Sequence, residues 1–385
     1  MKYTIFPPNE KINFNKKLNI KFGIDPTADK LHLGHLIPLL LIKDFLEKGH
    51  HIDIVLGSYT AQLGDPSGKD TMRPILNAET TMENASKIMA QVIRVLGKEN
   101  EKDLEFQMNH LWFQQMTAIE MTNILSKFTV SNLLARDSFS KRMEENNPIG
   151  MHELVVPILQ GIDSVKLKTN VEIGGTDQLF NFNITREVQR NHQQEPEVCV
   201  LMPIINGTDG RKMSKSFNNC IFLDDTSENV FGKVMSISDD LMKEWWPAIC
   251  KVNFPISDFK GVDFSGDLHP MKLKKDLAWW ITKLICGHDK ADKEFEHFQS
   301  VIQKKEIPKE IKDIKIPVAG MISILDIIMQ TRNCSKTEAR RLIEAKSVRF
   351  MEDGSNFKVI VSGDLQIVTP GVIIKVGKRN FAKIV

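Results

Sequence analysis

The stretch from Leu18 to Leu46 constrains the fold more than any other part of this chain. An apolar-flanked run, Leu18 to Ile24, reads as a strand, and Asp25-Pro26-Thr27-Ala28-Asp29 reads as a turn. The apolar residues from Leu36 to Leu46 predict a helix that opens at His32-Leu33-Gly34-His35. Strand, loop and helix N-terminus in that order form the repeating unit of an open parallel sheet. Two more strand candidates, His51 to Gly57 and Val198 to Ile205, alternate with helical patterns at Leu36 to Glu47, Thr81 to Leu96 and Met116 to Leu134. The expected architecture is α/β, a Rossmann-like doubly wound parallel sheet. Ligands of such sheets sit beyond the carboxyl ends of the strands, where Gly23 to Thr27, Gly57 to Gly64 and Gly174 to Gln178 are the suitable loops.

A helix N-terminus attracts anions through its free N–H groups and its dipole. His32 and His35, three apart, share one face of the first turn, and Gly34 between them leaves room for a ligand near the backbone. A distant second segment, Lys212-Met213-Ser214-Lys215-Ser216, adds two ammoniums, and Gly210 and Ser214 would let it move. Either segment alone could be solvated side chains or a surface loop. Together, two imidazoles and two ammoniums suit a triphosphate better than a metal. No GxGxxG is present, which disfavours a dinucleotide enzyme. Gly64-Asp65-Pro66-Ser67-Gly68-Lys69-Asp70 has three residues between its glycines and Asp after Lys, which disfavours a P-loop NTPase.

At 385 residues, with 42% hydrophobic and 26% charged residues, the chain has room for two or three globular domains. Five cysteines, Cys199, Cys220, Cys250, Cys286 and Cys334, form no CxxC pair, which argues against a zinc site or a disulfide framework and fits a reducing cytoplasm. No apolar run approaches the twenty residues of a membrane span, and the start lacks a signal-peptide core. The charge is uneven along the chain. From Ile311 to Val385 there are 13 Lys and Arg against 7 Asp and Glu, a net of +6, and the preceding residues carry 38 against 42, a net of −4. A small basic module on a mildly acidic body suggests an arm for a polyanion. Within it, Ser335 reads as an N-cap with Glu338 as its capping-box partner, on a helix from which Lys336, Arg340 and Arg341 project together. Short β-rich runs follow at Val359 to Val361 and Val372 to Val376. Upstream, Asp224 to Lys305 carries apolar residues at helical spacing, including Trp245, Trp246, Trp279 and Trp280. These tryptophans read either as core or as RNA-stacking platforms.

The two phosphate-handling segments resemble the HIGH and KMSKS motifs of class I aminoacyl-tRNA synthetases, the second letter for letter. Gly23 to Asp29, Gly64 to Gly68, Gln160 with Asp163, and Gly174-Gly175-Thr176-Asp177-Gln178 narrow the likeness to the bacterial-type tyrosyl-tRNA synthetases. The C-terminal module resembles the S4 RNA-binding domain. The resemblance covers essentially the whole chain. It implies a catalytic domain at 1–223 with a possible dimer-forming insertion at about 104–148, and a helical anticodon-binding domain at 224–305. A linker at 306–318 and an S4-like domain at 319–385 complete the expected order.

By the same resemblance the substrates are ATP with Mg²⁺, L-tyrosine and tRNA(Tyr), in a cytoplasmic homodimer with no membrane partner and no tightly bound cofactor or structural metal. Catalysis falls to Thr27, His32, His35, Lys212 and Lys215, and ATP contacts to Gly23, Asp25, Gly34, Gly175, Asp177, Met213 and Ser214. The amino acid would meet Lys21, Thr60, Asp65, Gln160, Asp163 and Gln178, and RNA would meet Lys336, Arg340 and Arg341. From the residues alone, Asp177 serves equally as a ribose ligand or as a cap for the following helix.

The chain departs from the family pattern in its amino-acid pocket. Val156 stands where a Tyr usually contacts the substrate ammonium, and Ile162 replaces a Tyr before Asp163. Lys21 and Ala61 match one branch of the family, the other having Tyr and Gly there. Two further readings are a paralogue activating a different amino acid and a non-catalytic RNA-binding protein on the same fold; a nucleotidyltransferase adenylating another carboxylate is a third. Intact phosphate segments count against the second, and the basic arm counts against the third.

Overall fold

The computed structural model describes residues 3–63, 77–97, 102–213, 217–250, 270–303, 311–315, 321–351, 357–360, 365–367, 371–377 and 380–385. The chain forms two compact units, Met1–His288 and Asp289–Val385.

In the first unit the elements are β1 (Thr4–Phe6), β2 (Asn19–Ile24), α1 (Leu33–Glu47), β3 (His51–Leu56), α2 (Thr60–Leu63), α3 (Ala78–Leu96) and β4 (Leu104–Met108). Then come α4 (His110–Phe113), α5 (Ala118–Leu125), α6 (Val130–Leu134), α7 (Asp137–Glu144), α8 (Met151–Leu167), β5 (Val171–Gly175), a 3₁₀ turn at Thr176–Gln178, α9 (Leu179–Asn191) and β6 (Val198–Met202). Three helices close the unit: α10 (Ser227–Met235), α11 (Asp239–Cys250) and α12 (Pro270–Cys286). The strand order is β1-β6-β5-β2-β3-β4, with only β1 antiparallel to its neighbour. Chain direction across the sheet reverses between β2 and β5, so a crevice opens beyond their carboxyl ends. Period-two alternation sends Ile20, Phe22 and Ile24, all buried, to one face of β2, and Lys21 to the face covered by α8.

Three features differ from the sequence reading. Leu104–Met108, placed there at the start of the insertion, is the edge strand β4, paired in register with β3 from Ile52 to Leu56. Gly174 and Gly175, read as loop, are the last residues of β5 and pair with Leu201 and Met202. The helical pattern from Met116 to Leu134 is broken in two, because the Thr129 hydroxyl caps a new helix by accepting from the Asn132 N–H at 3.3 Å. Trp245 and Trp246 are buried core residues, whereas Trp279 and Trp280 are partly exposed and meet edge to face at 5.2 Å.

The second unit holds most of α13 (His288–His297), a π-helical turn at Phe298–Gln303, β7 (Lys312–Ile314), β8 (Met321–Ser323), α14 (Ile324–Arg332) and α15 (Lys336–Glu344). Its remaining strands are β9 (Val348–Met351), β10 (Lys358–Val359), β11 (Leu365–Ile367), β12 (Ile373–Val376) and β13 (Asn380–Ile384). Five of the strands form a sheet in the order β10-β9-β12-β13-β7. Ile324, Ile327 and Ile328 of α14 and Ala339 of α15 pack with Val348, Ile374, Val376 and Ile384 of that sheet. Lys312–Ile314, assigned to the linker from sequence, is a strand parallel to β13. The linker residues 306–310 and 316–318 lie outside the described residues.

Candidate active site

The first motif caps its own helix. His32 is extended at φ −124° and is the N-cap of α1; its Nδ1 accepts from the Gly34 N–H at 3.2 Å, while His35 Nδ1 accepts from the His32 N–H at 3.2 Å. With both Nδ1 atoms accepting, each neutral ring carries its proton on Nε2, so each offers a donor away from the backbone. The rings lie 4.1 Å apart between centroids. Burial pushes the His35 imidazole down to about 4, so that ring stays neutral at physiological pH.

The two motifs are held together by a short antiparallel contact that the sequence did not announce. Leu33 N–H donates to the Ile221 carbonyl and Leu223 N–H to the Leu31 carbonyl, both at 2.9 Å, around a bridge between His32 and Phe222. The residues just after the lysine-rich loop are thereby stitched to the start of α1. The front of that loop is a tight turn in which Gly207 N–H donates to Arg211 at 2.6 Å and Gly210 adopts φ +83°. Asn219 fastens it from below, its Nδ2 donating to Asp209 Oδ1 at 2.7 Å and to the Lys212 carbonyl at 3.2 Å. Met213 is buried. Ser214 and Lys215 lie outside the described residues, as does Asp65.

Lys212 Nζ lies 3.1 Å from Asp177 Oδ2. Asp177 sits in the 3₁₀ turn after β5, and its carboxylate does not cap the next helix: Gln178 is the N-cap of α9 and makes no side-chain capping bond. Instead Asp177 Oδ1 folds over Gly175, where a Cβ would come within 2.5 Å of it and displace the carboxylate. Gln178 Oε1 accepts from Asn181 Nδ2 at 2.8 Å.

Beyond β2, Thr27 N–H donates to the Asp25 carbonyl at 2.7 Å in a tight turn, and Asp25 Oδ1 accepts from the Thr60 hydroxyl at 2.7 Å. Gly57 makes that contact possible, because a Cβ there would lie 1.9 Å from Asp25 Oδ1. Asn109, fully buried after β4, links these loops to α8: its Nδ2 reaches Thr60 Oγ1 at 3.2 Å and Asp163 Oδ2 at 3.4 Å. Trp112 Nε1 donates to Asp163 Oδ1 at 2.9 Å. Burial raises the Asp163 carboxyl to about 7, against the opposing pull of Lys21, Trp112 and Asn109. Sequence reading missed Asn109 and Trp112; recognising β4 as a strand would have marked them as lying just beyond a strand's carboxyl end.

Lys21 is anchored within the protein on the α8 side of β2. Its ammonium donates to Glu172 Oε1 and to the Gln160 carbonyl, each at 3.0 Å, and to Ser164 Oγ at 2.5 Å, which uses all three N–H groups inside the protein. Burial opposes its charge, but Glu172, Glu197 and Asp163 together hold its pKa above the ordinary lysine value. Ile162 is packed in a core cluster with Phe139, Ile184 and Val188, so this departure from the family pattern fills the interior. Val156, also buried, stands one turn before Gln160 on α8. In the second unit Lys336, Arg340 and Arg341 are all exposed on α15. The Ser335 hydroxyl caps that helix by accepting from Glu338 N–H at 3.3 Å, whereas the Glu338 side chain turns to Arg332 at 3.5 Å and leaves the capping box half made.

The family described as tRNA synthetases class I (W and Y) matches residues 13–303. A tyrosine–tRNA ligase of Thermotoga maritima is 37% identical over 381 residues, covering 97% of this chain and 92% of the relative. One of Aquifex aeolicus is 34% identical over 380 residues, covering 98% and 93%. Among solved structures, a C-terminally truncated mitochondrial tyrosyl-tRNA synthetase of Aspergillus nidulans superposes with a TM-score of 0.59 at 21% identity, covering 74% of this chain and 86% of that one.

Proposed function

The chain belongs to the class I tRNA synthetases of the tryptophan and tyrosine group, and from that premise we infer that it joins L-tyrosine to its tRNA in two steps. The tyrosine carboxylate attacks the α-phosphorus of ATP and expels pyrophosphate; the tyrosyl group of the adenylate then passes to the 3′ end of tRNA(Tyr). Neither step needs a protein nucleophile, because transfer at phosphorus depends on positioning and charge neutralisation.

The observation that supports this reading is that α1's capped N-terminus follows β2 and the Asp177–Lys212 pair follows β5, the two strands between which the sheet order reverses, with Asn109 joining Thr60 to Asp163. Neutral Nε2–H donors of His32 and His35, with Thr27, face the phosphates, and Lys212 and Lys215 close from the other side, acting most strongly on the transition state. Mg²⁺ arrives with ATP as part of the substrate. Among the described residues the one trio with metal-ligand spacing, His51, Asp53 and Glu105, is at the other end of its strands, away from these loops. Asp177 takes the ribose, with Gly23, Asp25, Gly34, Gly175, Met213 and Ser214 completing the nucleotide cleft. For tyrosine, Asp163 reads the phenol, while Gln160, Asp65, Thr60 and Gln178 hold the amino-acid end.

Two further parts of the reading rest on surfaces. Exposed Leu111, Ile119, Val130, Met143 and Met151 lie in or beside residues 104–148, and α5 buries none of its side chains, which supports a homodimer through this region. The exposed cations of α15 support an RNA contact by the second unit. Among the described residues no helix is long and apolar enough to cross a membrane, and we place the enzyme in the cytoplasm, where tRNA is charged.

Pyrophosphate exchange into ATP, measured with each of the twenty amino acids, tests the proposal. Exchange should depend on tyrosine, and Lys212→Ala should lower its rate by about 100-fold, the scale of losing one transition-state contact. Exchange driven by another amino acid would overturn the substrate, and none with any would overturn the chemistry.

A further inference from the structure

Behind the amino-acid pocket lies a buried group of charges that the reaction itself does not use. Lys21 of β2 and Glu172 of β5 are register partners on adjacent strands, each about 1% exposed, with Nζ 3.0 Å from Oε1. The same Glu172 Oε1 accepts from Gln160 Nε2 at 2.9 Å. A carboxylate can only accept, so Glu172 dictates which end of the Gln160 amide faces it. The NH₂ group is turned inward. The carbonyl Oε1 is left facing the other way, and among the described residues it meets no donor.

We propose that Lys21 and Glu172 are positioning residues for substrate selection: their ion pair locks the Gln160 amide with its carbonyl oxygen presented to the α-ammonium of the bound amino acid. This rests on the reading of Gln160 as an ammonium ligand. The reverse amide orientation would point NH₂ at a cation and repel it. Lys21 reinforces the lock from the backbone side, because it also holds the Gln160 carbonyl at 3.0 Å and Ser164 Oγ at 2.5 Å, so α8 cannot slide relative to β2 without breaking its bonds. Glu197 completes the arrangement. It is buried beside Glu172, and burial followed by that neighbour raises its carboxyl well above the usual range, which favours the protonated form that can donate. Glu172 Oε2 otherwise has no partner. With valine at 156 supplying no polar atom one turn earlier, orientation of this single amide carries more of the ammonium recognition.

The test compares two ligands in the full-length enzyme: L-tyrosine, by its KM in pyrophosphate exchange, and 3-(4-hydroxyphenyl)propionate, which lacks the ammonium, by its inhibition constant. The paired change Lys21→Met with Glu172→Gln removes both charges together and leaves no lone buried ion. It should raise the tyrosine KM by about tenfold, a scale set by one misdirected hydrogen bond to a charge, with kcat and the inhibition constant of the propionate unchanged within about twofold. Gln160→Ala should do the same, and adding it to the pair should cost nothing further, since residues acting through one contact are non-additive. If the paired variant does not fold, Lys21→Met with Glu172→Met serves, because it removes the same two charges and leaves the Gln160 amide no acceptor on β5. Equal weakening of both ligands would overturn the proposal in favour of general pocket damage, and an unchanged tyrosine KM in a folded variant would overturn it outright. If Gln160→Ala is itself silent, the reading of Gln160 fails and the positioning role goes with it; if Gln160→Ala is costly and the pair silent, only the positioning role fails.

Discussion

Asp163 shows what a single side chain costs a fold in order to serve a pocket. Its carboxyl titrates near 7, so between the ordinary carboxylate range and pH 7 the folded state holds a proton that the unfolded chain releases. Stability from this group is therefore greatest at low pH and is lost as pH rises through 7. Asp163→Asn should raise the melting temperature more at pH 8 than at pH 5, as measured by calorimetry, while raising the tyrosine KM about tenfold or more. A melting temperature that rises equally at both pH values would show that the carboxyl is not buried at this cost. His35 has the opposite sign: with its ring held near 4, the folded state binds fewer protons than the unfolded chain, and stability is lost as pH falls below about 6.5. As a neutral donor it should impose no acid limb on exchange between pH 5.5 and 8; a limb in that window removed by His35→Gln would contradict the tautomer reading.

At the scale of elements, the site depends on how a helix start and a distant loop are fastened. Leu31 to Leu33 pair with Ile221 to Leu223, and Asn219 ties Asp209 and the Lys212 carbonyl together. Asn219 is buried, so removing its amide leaves backbone groups short of a partner, at about 1–3 kcal/mol. Asn219→Ala should lower kcat/KM for ATP by about tenfold and leave the tyrosine KM within twofold. Steady-state exchange separates the two, and a matching rise in the tyrosine KM would show that the loop acts on the whole cleft. Gly57→Ala should be costlier than its size suggests, because the new Cβ would displace the Asp25–Thr60 contact.

At the scale of the whole molecule, the exposed apolar residues and the basic helix make separable predictions. Ile119→Glu, at a side chain 66% exposed and hence tolerant of charge in a monomer, should shift the enzyme from dimer to monomer in analytical ultracentrifugation. An unchanged sedimentation coefficient would remove α5 from the interface. Reversing Lys336, Arg340 and Arg341 together to Glu should leave exchange unaltered while aminoacylation of tRNA falls more than tenfold, with a shallower dependence on salt than the native enzyme shows. Equal loss of both activities would mean the changes unfold the second unit.

What the sequence by itself determined was whatever depends on neighbours within a few residues. The strand-turn-helix unit at Leu18 to Leu46, the pairing of His32 with His35 across one turn, the composition of the lysine loop, and the Ser335 cap are all short-range. What only the tertiary structure decided depends on register between distant strands. Lys21 reads as a pocket residue, and only the register of β2 with β5 shows that Glu172 lies beside it. Leu104–Met108 reads as insertion until pairing with β3 makes it a strand, and that in turn places Asn109 and Trp112 against Asp163. The Asp177–Lys212 contact and the stitch between residues 31–33 and 221–223 likewise join segments dozens to nearly two hundred residues apart. Burial in a low dielectric shifts the carboxyls of Asp163 and Glu197 upward, and burial is a property of everything packed around a residue rather than of its place in the chain.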